Sequence, residues 1–363
     1  MRERPSPGKQ VLDILSLALD DRGDIAMLAR CADGTGIWSG AKNAWVAFTG
    51  ESITSGEGFP SPIKSLEGLS LGPKGEIHYI ARYQAANPKT HLYTFRIGFF
   101  SDGKLVYETP SQEGTHRYAD GTGGFLPDGR AILGEFARPG GLRIGTGDTV
   151  DQPVTPLAPA PPEILSLSLL TINPSTGHYV YWASYNAPGN QPRPAVFLNN
   201  VPRVSLPAND TPAAIYLNGK DDIAFSLNSK GNRIFIDGRP TPETGALLGF
   251  NDAQDLLRET WNPPADPVRR VRLNDSVVIE PGNYTTYGPR EPLRLGVPQM
   301  KERGFVYGYK LARLNNRGQV AFAAQFVPVG TRVTLRAVSG VSVLATDRGV
   351  PVLWVVMLAS PRN

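Results

Sequence analysis

The sequence predicts an all-β chain folded as a β-propeller, most simply one of seven four-stranded blades. Three observations predict it. A turn-plus-strand unit recurs along the chain, a second hairpin lies between successive copies, and the composition suits a protein of turns, with 39 glycines and 33 prolines in 363 residues. A fixed period is the mark of repeat architectures, and a blade of four strands takes ~40–50 residues.

The best-formed unit is Leu314-Asn315-Asn316-Arg317-Gly318-Gln319-Val320-Ala321-Phe322. It reads as a strand end, a four-residue turn and a new strand. Asparagine tolerates left-handed backbone and bonds its own chain two residues on, and glycine supplies positive φ without steric cost. The apolar run that follows is what a buried strand needs. Copies lie at Leu19–Met27, Leu71–Ile77, Phe125–Ile132, Ile172–Val180 (one residue longer), Leu217–Phe225 and Phe250–Leu257, the last being the poorest. Their starts at 19, 71, 125, 172, 217, 250 and 314 are roughly 49 residues apart on average.

The second hairpin is clear around Asp102-Gly103, Asn199-Asn200, Asp237-Gly238 and Asn274-Asp275, and weaker at Ile37–Gly40, Leu142–Gly145 and Ala337–Gly340. Two hairpins per unit make four strands. A tail over 1–9 followed by one propeller domain over 10–363 is expected, with blades near 10–60, 61–115, 116–162, 163–211, 212–245, 246–301 and 302–363. One short helix is expected within Asn251–Thr260. Val350–Ala359 is expected to be a strand that clasps Val11–Leu19 or covers an outer edge.

On the second strand of each unit both faces are apolar, as for a sheet packed on both sides. His78 and Arg258 break this pattern. A core histidine bonded to a backbone carbonyl is the expectation for His78, and a degenerate sixth unit accounts for Arg258.

Asn315-x-x-Gly318-x-x-Ala321-Phe322 resembles the signature of the bacterial tandem NxxGxxAF-repeat proteins, and Asn218 with Ala224-Phe225 keeps part of it. Phe125-Leu126-Pro127-Asp128-Gly129 is similar to the turn of TolB-type, WD40-like propellers. The resemblance implies a propeller, usually exported to the periplasm or cell surface, with no generally known activity. It carries over no catalytic residues.

Net charge is +4 and the isoelectric point about 9.1, a mild excess that favours anionic partners. No Lys/Arg cluster has the density of a nucleic-acid arm, so no nucleic-acid partner is expected. No apolar run reaches the ~18 residues of a membrane span. The polar stretch Met1–Lys9 does not read as a signal peptide. Cys31 is the one cysteine, so no internal disulfide or cysteine-based zinc site is expected. Pro153–Pro162 reads as a stiff extended spacer.

The Asn/Asp-Gly turns fall on one rim. The loops joining hairpins and blades fall on the other, the upper face. That face is expected to collect Arg82, Arg138, Tyr185, Arg193, Trp261, Arg270, Tyr287, Arg303 and Arg332 as a basic, aromatic-flanked ligand site. Arginine offers a planar fork to carboxylate, sulfate or phosphate, and aromatic rings offer flat faces to sugars or peptides.

No Walker loop, GxSxG elbow or HExxH is present, and the four histidines do not pair at metal-ligand spacing. Asp20-Asp21 and Asp221-Asp222 read as turn formers rather than calcium ligands. No cofactor or metal is expected. The favoured reading is a monomeric, non-enzymatic propeller binding an anionic small molecule or glycan, a peptide or a protein partner. The alternative is a lyase or hydrolase at the channel mouth around His91, His116, Arg117 and Tyr118, which would supply base, proton donor and charge neutraliser. A structural module of a larger surface assembly is the third.

Overall fold

The computed structural model describes residues 11–54, 60–86, 93–109, 118–135, 141–145, 155–156, 164–187, 191–208, 210–262, 266–286, 302–328, 333–338, 341–346 and 354–359. Those residues are almost wholly antiparallel strands. The first sheet is β1 (Val11–Leu19), β2 (Ile25–Cys31), β3 (Gly34–Ser39) and β4 (Ala44–Phe48). The second is β5 (Ser52–Thr54), β6 (Pro60–Leu71), β7 (Ile77–Ala86), β8 (Tyr93–Ser101) and β9 (Lys104–Glu108). Next come β10 (Tyr118–Phe125), β11 (Ala131–Glu135), β12 (Gly141–Gly145) and β13 (Thr155–Pro156), then β14 (Ile164–Ile172), β15 (Tyr179–Ala187), β16 (Gln191–Leu198) and β17 (Val201–Ser205). A further pair of sheets is β18 (Pro212–Leu217), β19 (Ile223–Leu227), β20 (Arg233–Ile236) and β21 (Arg239–Thr244), and β22 (Ala246–Phe250), β23 (Leu256–Asn262), β24 (Asp266–Leu273) and β25 (Ser276–Ile279). The last sheet is β26 (Gly282–Thr286), β27 (Glu302–Leu314), β28 (Val320–Pro328) and β31 (Trp354–Ala359), with the separate hairpin β29 (Val333–Val338) and β30 (Val341–Thr346) between β28 and β31.

The sheets close into a propeller. Inner strands touch in the order β1, β6, β10, β14, β18, β22 and β27, and β27 returns to β1. The expectation of seven four-stranded blades is corrected: the described residues form six four-stranded sheets, and the second sheet has five strands because β6 extends past its partner β7 to pair with β5.

Hydrophobic clusters fill the gaps between neighbouring sheets, which explains the two-faced apolarity of the repeat. Phe99 and Ile80 meet Phe125 and Leu133 across one gap, and Val180 and Val196 meet Ile215 and Phe225 across another. Met27 and Trp38 of the first sheet meet Ala321 and Ala323 of the last.

The repeated turns share one geometry. In the Asn315 turn, Asn315 N–H donates to Gln319 O at 3.1 Å and Gly318 N–H donates back to Asn315 O at 3.1 Å. Asn315 Oδ1 accepts from Arg317 N and Gln319 N. Gly318 takes φ 72°, and Asp221 (φ 67°) and Gln254 (φ 63°) hold the same place in the Asn218 and Asn251 turns.

The first turn residue also reaches the next sheet. Asn218 Nδ2 donates to Asn251 O at 3.3 Å, Asn251 Nδ2 to Asn315 O at 3.3 Å, and Asn315 Nδ2 to Asp20 O at 2.8 Å. Asp252 N–H donates to Asn316 Oδ1 at 2.9 Å, and Asn316 N–H to Asp21 Oδ1 at 2.8 Å. Arg22 Nη1 donates to Lys74 O at 3.1 Å, and His178 Nδ1 lies 2.7 Å from Asp221 Oδ1. The two tandem aspartate pairs thus serve turns and links between turns. The ion pair of Lys310 with Asp13 adds to the closure of first and last sheets.

Several local expectations change. Residues 251–260 form no helix: Asn251 heads a turn and β23 follows, in a complete four-stranded sheet. Arg258 is not a sign of degeneracy. It is buried and donates to Thr244 O at 3.0 Å and Asn274 O at 3.1 Å, satisfying carbonyls at two hairpin ends. β31 does not clasp the N-terminal strand by pairing; it covers the outer edge of β28, from Val320 opposite Ala359 to Gln325 opposite Trp354. His78 is buried against Phe125, ring centroids 4.5 Å apart, and not on a carbonyl of any described residue. Cys31 closes β2 and is buried.

Candidate functional site

The upper ends of the sheets lie opposite the asparagine turns. Six of the nine expected ligand-site residues prove to be strand residues, Arg303 of β27 among them, because the strands run further towards this face than their polar side chains suggest. Arg82 is on β7, Tyr185 on β15, Arg193 on β16, Trp261 on β23 and Arg270 on β24. A rim strand with one solvated side accepts long polar side chains, whose stems lie on apolar surface while their heads reach water. Two of the cations are engaged in the fold: Arg82 Nε donates to Glu67 Oε1 at 3.0 Å and Arg270 Nε to Glu280 Oε2 at 2.8 Å.

Three of the described sheets place an aromatic residue towards the upper end of the strand after the inner one, beside an arginine of the next strand. Tyr83 pairs with Arg96 and Tyr185 with Arg193 in direct cross-strand register. Trp261 lies at an irregularity between Thr260 and Asn262, and the Arg269 guanidinium sits 5.1 Å from its ring centroid. Trp261 is 54% exposed, a large apolar surface to leave in water. Arg269 also approaches Glu259, Nη1 to Oε1 3.7 Å. Tyr185 is half-buried with its edge on Phe197, and Arg193 is exposed. Cation and ring attract through the ring quadrupole, and the pair presents a flat face and a positive charge together.

In the second sheet the same pair is internal. Arg96 is 3% exposed, and Glu108 of β9, fully buried, accepts from Tyr83 Oη with Oε2 3.8 Å from Arg96 Nη1. Burial and the neighbouring carboxylate push the Tyr83 phenol far above its ordinary value. This cluster fixes β7, β8 and β9 to one another rather than facing a ligand.

Alternation along the strand sends Arg270 to Glu280, while Arg269, one residue earlier, lies over the Trp261 ring. Arg96 and Glu108 lie on strands and carried no signal, since a lone charge in an apolar run reads as an exposed position. Arg303 and Tyr118 lie in β27 and β10, with Arg303 opposite Thr285 and Tyr118 opposite Glu135. Arg138, Tyr287, Arg332, His91, His116 and Arg117 lie outside the described residues. Among the described residues no group of histidine, cysteine and acidic side chains is arranged to hold a metal ion, and no helix is long and apolar enough to cross a membrane.

No family model and no curated protein matches the chain. Solved structures with a similar course include the Dos1 propeller (10% identity, 90% of this chain and 93% of that one, TM-score 0.40). An aldose sugar dehydrogenase of Streptomyces coelicolor in its PQQ-bound form has 11% identity over 98% of this chain and 97% of that one, with TM-score 0.32. An acylaminoacyl peptidase has 7% identity over 82% of this chain and 57% of that one, with TM-score 0.40. At these values no argument about activity rests on them; the propeller is read from the closed ring of sheets.

Proposed function

We propose that the chain is a non-enzymatic binding propeller whose upper face takes an anionic glycan, peptide or protein. The exposed Trp261 ring with Arg269 against it carries this reading, and the Tyr185–Arg193 pair at the corresponding level of another sheet supports it. Such pairs suit a ligand that offers a flat apolar surface and a carboxylate or sulfate. The second, five-stranded sheet counts as a seventh blade in this reading, since its inner strand stands between β1 and β10 in the ring. The asparagine-glycine signature supports grouping with the NxxGxxAF-repeat propellers.

The test is titration of wild type, Trp261→Ala and Arg269→Ala with a uronic-acid oligosaccharide, followed by tryptophan fluorescence and calorimetry. Each substitution is expected to weaken binding about tenfold, equivalent to ~1.4 kcal/mol. Unchanged affinity in both variants refutes the reading.

A further inference from the structure

The opposite mouth of the channel, at the asparagine-turn rim, holds a cavity of about 400 Å³. It is lined by inner-strand ends of four consecutive sheets and by Arg313 of the last. Its size falls within the ~300–1,000 Å³ of small-molecule sites. Leu17, Leu69, Leu170 and Ile172 give it an apolar wall.

Two polar side chains stand out in that wall. His78 is 4% exposed, lines the cavity, and has no hydrogen bond to any described residue. Lining the cavity, its imidazole is placed to take a partner there. Gly72 makes room beside it: a Cβ there would stand 2.7 Å from Glu76 Oε2, 2.9 Å from His78 Cε1 and 3.2 Å from His78 Nε2. Arg313, half-buried, donates to Ala312 O at 3.0 Å and meets no carboxylate among the described residues.

The inner strands are also distorted here. Pairing shifts register between Glu67 and Ser70, between Ser168 and Thr171, and between Lys310 and Arg313. Each shift holds a left-handed residue: Gly68 (φ 63°), Leu169 (φ 57°) and Leu311 (φ 58°). Leucine in this region is strained by ~1–2 kcal/mol. Bulges re-aim side chains beside functional sites, and strain held in the backbone is found at ligand clamps.

We propose that this cavity binds a small aromatic or alkyl acid bearing a hydroxyl, its carboxylate on Arg313, its hydroxyl on His78 Nε2 and its body against Leu17, Leu69 and Leu170. The orientation follows from charge. Glu76, which accepts from Lys74 N–H at 2.9 Å, lies beside Gly72 and His78 and disfavours a second anion there. Arg313 and His78 lie on the sheets that flank β1, so the ligand spans that strand.

The probe is a fluorescent hydroxynaphthoate with its two oxygen groups at opposite ends, titrated into the full chain. Saturable binding is expected, at least tenfold weaker for the methyl ester and for Arg313→Gln. The His78 ring signals in NMR are expected to shift in step with occupancy. Binding that leaves His78 unmoved at saturation, or equal affinity for acid and ester, overturns the proposal, as does absence of binding. The NMR readout uses the wild type, so it decides even where a variant fails to fold. Loss of upper-face binding in Trp261→Ala has no bearing on this result.

Discussion

Asn315 Nδ2 lies 2.8 Å from the backbone carbonyl of Asp20, and through this bond the last sheet meets the first. Among the described residues no strand is exchanged across that junction: the first sheet is built from β1 to β4 and the last from β26, β27, β28 and β31. Closure therefore rests on turn contacts, on the ion pair of Lys310 with Asp13, and on the apolar cluster of Met27 and Trp38 with Ala321 and Ala323.

Replacing Asn315 by Ala removes three bonds within its own turn, two accepted by Oδ1 and one donated by Nδ2 to Gln319 Oε1, and the one across the junction. Asn315 is buried, so the groups it served lose partners away from water. A loss of about 3 kcal/mol in denaturant unfolding is expected. Hydrogen exchange is expected to rise first in β1 and β27. Asn251→Ala, which lacks the junction, is expected to leave β1 protection intact.

Two turn glycines separate backbone strain from contact. Gly129 (φ 84°) has open space where a Cβ would go, and Gly75 (φ 83°) has Arg22 Nη2 only 2.0 Å from that point. Gly129→Ala is expected to cost ~1 kcal/mol from strain alone. Gly75→Ala is expected to cost more, because it also displaces Arg22 from Lys74 O. Paired melting curves check the order.

These turns were the legible part of the sequence. Left-handed backbone is a local demand that Asn and Gly meet with few alternatives, so Asn315–Gly318 announced itself. Even Asp221 and Gln254, which break the glycine rule, kept their place because the asparagine before them still organised the turn. The upper face was less legible. Arg82 and Tyr185 read as loop because they are polar, yet β7 and β15 continue through them. Which of Arg269 and Arg270 faces Trp261 depends on strand alternation past an irregularity, and pairing sets that, not composition.

The buried Tyr83–Glu108–Arg96 cluster gives a prediction of its own. Glu108→Ala removes the carboxylate facing a buried guanidinium and is expected to cost about 3 kcal/mol or more. Arg96→Met combined with Glu108→Leu is expected to recover most of that stability. A double variant no better than the single one contradicts this account.

His78 gives a pH dependence. Burial holds its imidazole below its ordinary value, with Glu76 and Asp102 opposing. The unfolded chain then binds a proton that the folded chain refuses. Stability present above the unfolded value of ~6.5 is lost as the pH falls through it. His78→Phe is expected to flatten unfolding free energy between about pH 7 and 5; identical slopes in wild type and variant rule this out.

The most direct test of the binding account is thermal melting of the purified chain against neutral and acidic oligosaccharides, at low and physiological salt. A ligand at ~100 times its dissociation constant adds about 2.7 kcal/mol, visible as a rise of a few degrees. The account predicts a rise with acidic sugars alone, shrinking as salt screens the upper-face arginines. A rise of equal size with neutral sugars, or one indifferent to salt, contradicts it.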